Sequence, residues 1–127
     1  MKARCTTLAS ATTGETLDKS AWLTVGRTYE VLAMSATVGG DIFLRLIGDD
    51  GHTPGLFSAA LFESVDETMP GIWEARLDSQ GRLGIAPASW LRRGFWEDFF
   101  NGVPTALEAF DHARTAILSA THQECSR

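Results

Sequence analysis

The stretch over residues 23–65, LTVGRTYEVLAMSATVGGDIFLRLIGDDGHTPGLFSAALFESV, constrains the fold more than any other part of this chain. Residues 28–34 form a β-branched and aromatic run, with Tyr29, Val31 and Ala33 predicted on one face. Val38-Gly39-Gly40-Asp41 connects this run to the next, glycine supplying the positive φ that a tight turn requires. Residues 42–47 are nearly all apolar and read as a central strand covered on both faces. Ile42, Leu44 and Leu46 point one way, and Phe43, Arg45 and Ile47 the other. Gly48-Asp49-Asp50-Gly51 is a turn. Residues 56–62 follow as a short strand with one helical turn at residues 58–61, and residues 62–65 form a last short strand. With a first strand over residues 3–8, this pattern predicts a small, strongly bent five-stranded β-barrel over residues 3–66.

The remainder of the chain changes character. Residues 10–20, inside the barrel region, are rich in Ser, Thr and Gly and read as a loop. Met69-Pro70-Gly71 marks a boundary. Over residues 70–86, Trp73, Ala75 and Leu77 alternate with Glu74, Arg76 and Asp78, and Leu83 and Ile85 alternate on the way back, which predicts a β-hairpin turning at residues 78–81. Residues 87–120 read as a helical cap. Pro87 fits the first turn of a helix and Gly94 the position just past its end. Phe95, Trp96, Phe99 and Phe100 then share one face of a two-turn helix, with Glu97 and Asp98 outward. A last helix opens at Pro104, with an apolar stripe of Leu107, Phe110, Ile117 and Leu118. The expected fold class is α+β: one domain made of a small barrel, a hairpin and C-terminal helices.

Charge narrows the function classes. The net charge of −5 is concentrated in the second half, with −1 over residues 1–60 and −4 over residues 61–127. Phosphate contacts dominate nucleic-acid affinity, and no basic stripe supplies them here, so a nucleic-acid partner is disfavoured. Cys5 and Cys125 are too few and too far apart for a disulfide framework or a clustered zinc site, and read as free thiols. No secretory signal is evident, and no apolar run approaches the roughly 18 residues of a membrane span. The expectation is a cytoplasmic protein with no membrane association.

The residues Leu23-Thr24-Val25-Gly26, Tyr29-Glu30-Val31-Leu32, Phe43 to Ile47, Asp49-Asp50-Gly51 and Leu61-Phe62-Glu63 resemble the Src-homology-3-like small barrels of short bacterial and phage proteins of unknown role. The resemblance covers about residues 3–65, and Cys5 is placed for the cysteine those proteins often carry on a first strand. It implies a fold and no activity. The chain departs from that pattern at His52-Thr53, where an aromatic usually precedes the Pro-containing return. The C-terminal half, with Gly94-Phe95-Trp96-Glu97-Asp98-Phe99-Phe100, has the look of small bacterial immunity-type proteins.

Catalytic constellations are sparse. His52 follows a turn, His112 sits on the exposed face of the last helix beside Glu108, and His122 lies near the chain end. No nucleophile elbow, phosphate-cradling loop or His-Glu-x-x-His helix occurs. Adjacent helical residues diverge by about 100°, so Glu97 and Asp98 do not share a site. Asp49 and Asp50 fit a solvated turn better than a cation site, which wants several convergent oxygens. No catalytic residue, metal or cofactor is expected. Arg92-Arg93 is the one basic doublet, beside Trp90, and either anchors an acidic partner or complements a helix C-terminus. Of the four tryptophans, Trp73 and Trp96 are expected mostly buried and Trp90 partly exposed.

These features favour a non-catalytic module that binds another protein, with Trp90, Arg92, Arg93, Asp49, Asp50 and His52 as candidate contact residues. A more specific form is an immunity- or antitoxin-like inhibitor whose acidic half covers a basic toxin. The alternatives are a nucleic-acid-associated barrel, and a small-ligand binder or enzyme with a site between barrel and helices.

Overall fold

The computed structural model describes residues 1–9 and 20–125. The predicted loop over residues 10–20 lies almost entirely outside the described residues, as do the side chains of His122 and Cys125.

Among the described residues, seven strands and two helices form an α+β fold. The strands are β1 (Lys2–Cys5), β2 (Thr28–Ala36), β3 (Ile42–Ile47), β4 (Pro54–Ser58), β5 (Phe62–Asp66), β6 (Trp73–Leu77) and β7 (Leu83–Pro87); the helices are α1 (Phe95–Phe100) and α2 (Pro104–Cys125). All pairings are antiparallel. The main path runs β4-β3-β2-β1-β5. The predicted closed barrel is not formed: among the described residues, no ladder joins β4 to β5. The chain passes between them through one 3-10 turn, Ala59–Leu61, held by the Ser58 hydroxyl accepting from the Ala60 N–H. That turn redirects the strand instead of folding it back as a hairpin, so both strands remain edges.

The β6–β7 hairpin belongs to the same sheet. One edge of β2 is shared: β1 pairs along Thr28, Tyr29 and Glu30, and β7 along Met34, Ser35 and Ala36. The nine-residue length of β2 is what accommodates both. Between the two halves sits a bulge, where Val31 pairs with Leu46 but Ala33 pairs with Arg45, leaving Leu32 as the extra residue. An inserted residue reverses the inside–outside phase of a strand. Tyr29 and Val31 therefore enter one core while Leu32 and Ala33 enter another. This corrects the expectation that Tyr29, Val31 and Ala33 share a face.

The two cores have different makeup. One fills the bend of the sheet with Ala3, Cys5, Leu8, Leu23, Tyr29, Val31, Leu44 and Leu46. The other lies between the opposite sheet face and the helices, and is built on Trp90, Phe95, Phe110 and Ile117. Trp90 stacks on Phe110 at 5.0 Å and 16°, and meets Trp96 edge-on at 5.6 Å.

Three helical expectations are corrected. Pro87 does not open a helix: its backbone is extended (ψ 142°) and ends β7, leaving only a 3-10 turn at Ala88–Trp90. The four aromatics of α1 do not share one buried face, because Phe95 is 1% exposed and Phe100 56%. Five residues of helix rotate by about 140° beyond one full turn, which carries Phe100 out of the interface. The buried stripe of α2 is Ala106, Phe110, Ala113 and Ile117, with Leu107 and Leu118 turned largely to solvent. The two alanines let the helix pack closely around Trp90 in this core, which leucines would prevent.

Candidate functional site

The six sequence-predicted contact residues fall into two groups that no hydrogen bond, ion pair or ring contact joins. Trp90 is 2% exposed and is a core residue, correcting its expected partial exposure. Its neighbours Phe95, Trp96 and Phe110 pack around it, and its indole N–H has no hydrogen-bond partner among the described residues. Arg92 donates to Asp98 at 2.9 Å and lies 5.4 Å from the centre of the Phe95 ring. Arg93 is exposed, with no ion-pair partner among the described residues.

Asp49 is a structural hub. It accepts hydrogen bonds from the Tyr29 hydroxyl (2.7 Å), the Thr24 hydroxyl (2.7 Å) and Arg27 (2.9 Å). Burial pushes its carboxyl upward, but the bonds from Thr24 and Tyr29 and the Arg27 charge outweigh this and hold it below the ordinary carboxylate range. Asp50 caps its own turn by accepting from the N–H groups of His52 and Thr53. Thr53, through side chain and N–H, and His52 hold the Asp50 carboxyl at about 2. His52 is 81% exposed, and its Nδ1 lies 3.1 Å from the Thr53 hydroxyl and 3.7 Å from Asp50. A catalytic relay uses the two ring nitrogens separately, one toward the nucleophile and one toward the acid. Here both neighbours meet the same nitrogen, so the cluster organises a turn and does not form a triad. Among the described residues, no three of His, Cys, Asp and Glu converge as metal ligands.

Arg45 is the least conventional charged residue. It belongs to the helix-side face of β3, where its guanidinium lies 3.8 Å from the centre of the Trp96 ring and donates to the Pro54 carbonyl at 2.9 Å. No carboxylate pairs with it among the described residues. Burial lowers its pKa to about 10. It remains charged at neutral pH and bridges the sheet to α1 by stacking.

A concave feature lies on the same sheet face. Cross-strand pairing aligns Ser35 with Phe43 and Gly84, Arg76 with Gly84, and Arg45 with Leu56. Beyond the helices this face opens into a cleft of about 390 Å³. Phe43, Leu56, Leu83 and Leu91 supply its apolar lining, and Arg76, Asp78 and Arg82 its polar rim. Gly84 helps shape the wall: a Cβ there would lie 2.8 Å from Leu91 Cδ2, so a larger residue would make the Leu91 side chain shift. Arg82 is tied to Asp78 at 2.8 Å across the hairpin turn. Leu56 is 47% exposed at the mouth.

Sequence reasoning did not assemble these residues. The alternation around β3 already set Phe43 and Arg45 on a common face. What it lacked was the pairing of β2 with β7, which extends that face with the hairpin. No protein-family model matches the chain, and no curated protein or solved structure matches it significantly.

Proposed function

We propose that this chain is a non-catalytic binding module for another protein, and that the cleft lined by Phe43, Leu56, Leu83 and Leu91 receives the partner. One observation carries the reading: an open, apolar-floored cleft on a sheet face that the helices cover only in part. Protein-recognition sites concentrate apolar side chains in a concave centre with polar groups at the rim. Leu56 projects nearly half exposed at the mouth, where a partner's apolar side chain would bury it. Arg93, two residues beyond Leu91 and unpaired among the described residues, would meet a partner carboxylate. The strand order β4-β3-β2-β1-β5 and the 3-10 turn between β4 and β5 support a Src-homology-3-like scaffold, a small frame on which surface residues do the recognising.

The test is affinity capture from a lysate of the source cell with the full chain as bait. Wild-type protein should retain one stoichiometric partner. Leu56→Glu alters an exposed position, should fold normally by circular dichroism, and should lose that partner. Leu118→Glu, an exposed change on α2, should retain it. Equal capture by Leu56→Glu, or no stoichiometric partner at all, overturns the assignment.

A further inference from the structure

Strand β6 is an unprotected sheet edge. Among the described residues it pairs only with β7, and Glu74, Ala75, Arg76 and Leu77 are all exposed. The hydrogen bond from the Asp78 N–H to the Arg82 carbonyl (2.9 Å) sets the alternation along the hairpin. Residues of the same parity as Asp78, namely Arg76 and Glu74, turn their backbone groups toward β7. Ala75 and Leu77 therefore aim their N–H and C=O groups outward, with no partner strand among the described residues. Edge strands of this kind template pairing with another chain unless something blocks them.

The sequence Trp73-Glu74-Ala75-Arg76-Leu77 is self-complementary when read antiparallel about Ala75. That register sets Ala75 opposite its own symmetry mate, where the outward backbone groups exchange two hydrogen bonds. On the helix-side face, Glu74 stands across from Arg76 of the second copy, and Arg76 across from its Glu74. On the other face, Leu77, which is 69% exposed, meets the second copy's Trp73. The small Ala75 at the axis leaves room for both. The neighbouring registers are worse. Centring on Glu74 or Arg76 opposes like charges, which is destabilising across a strand pair. Centring on Trp73 or Leu77 runs the pairing past the ends of the strand. Neither Glu74 nor Arg76 has an ion-pair partner within its own chain among the described residues.

We propose that two copies of this chain associate through antiparallel β6–β6 pairing about Ala75, fixed in register by two reciprocal Glu74–Arg76 ion pairs. The contact is isologous, so it closes at two copies and does not propagate. It joins the sheet β4-β3-β2-β7-β6 to its symmetry mate and leaves Phe43, Leu56 and Leu91 free to engage a third molecule.

Sedimentation equilibrium of the full chain at micromolar concentration tests this. Wild-type protein should sediment at twice 13.8 kDa. Glu74→Arg and Arg76→Glu alone should each sediment at the monomer mass, because each sets like charges against one another at both pairs. The double variant Glu74→Arg/Arg76→Glu should regain the doubled mass. Mixing the two single variants should do the same, since one then presents two arginines along this face and the other two glutamates. Both substituted positions are exposed, so folding should be unaffected, and Leu56→Glu should leave the doubled mass intact. A wild-type monomer would overturn the proposal. So would a dimer whose mass ignores both single charge reversals, or singles that fail to recombine.

Discussion

Phe95 and Phe100 open and close the same six-residue helix, and truncating each to alanine should give very different costs. Phe95 is 1% exposed, meets Trp96 edge-on at 5.0 Å and stacks on Trp90 at 6.4 Å. Losing its transfer free energy removes about 1.5–3 kcal/mol. The site collapses poorly, because Trp90 is itself held by Phe110 at 5.0 Å. The remaining cavity raises the expected cost to about 3–5 kcal/mol. Phe100 is 56% exposed, and its ring contacts among the described residues are with Trp96 and Phe99, so Phe100→Ala opens no enclosed cavity and should cost about 1 kcal/mol. The small gain in helix propensity is similar for both and largely cancels. Urea melts followed by tryptophan fluorescence measure the difference. With a slope of about 1–3 kcal/mol per M, the difference of about 2–4 kcal/mol should lower the Phe95→Ala midpoint by about 0.7–4 M relative to Phe100→Ala. Equal midpoints would refute the assignment of Phe95 to the centre of the helical core.

Other substitutions probe the joints of the fold. Tyr29→Phe removes the acceptor for the Thr24 N–H and a donor to Asp49, and should cost about 1–3 kcal/mol in a denaturant melt at neutral pH. The Asp49 carboxyl titrates below its unfolded value, so its stabilisation is present above about pH 4 and fades as acid protonates it. The stability gap between wild type and Asp49→Asn should therefore narrow steadily as melts are repeated below that pH. At Gly48 an added Cβ would lie 2.4 Å from the Trp22 carbonyl oxygen, which accepts from the Asp49 N–H, so Gly48→Ala should destabilise by about 1–3 kcal/mol in the same assay. Arg45→Met keeps volume against Trp96 and removes a desolvated charge, whereas Arg45→Lys keeps the charge and loses the planar stack. Thermal melts should rank the methionine variant above the lysine variant.

Much of the strand layout was legible because alternation and turn residues act locally. Ile42–Ile47 and the hairpin at Trp73 and Leu83 follow directly from period-two patterning and from Asp78-Ser79-Gln80-Gly81. Three features were not legible. The bulge at Leu32 inverts the phase of β2, and no residue type there signals it, since Leu32 is as apolar as its neighbours. The large side chains of α2 misdirected the stripe, because close packing against Trp90 favours Ala106 and Ala113 over Leu107 and Leu118. Trp90 itself lies between Ser89 and Leu91, just before Arg92-Arg93, yet a short 3-10 turn folds it inward onto three aromatics from α1 and α2. The cleft depends on the non-local β2–β7 pairing, and only the tertiary arrangement brings Arg76 and Arg82 beside Phe43 and Leu56.

Amide hydrogen exchange on the chain bound to its captured partner tests the recognition surface most directly. Binding should slow exchange at Phe43, Leu56, Leu83 and Leu91 and leave the exposed face of α2 around His112 unchanged. Slowing confined to α2, with the cleft exchanging as in the free chain, would contradict the account.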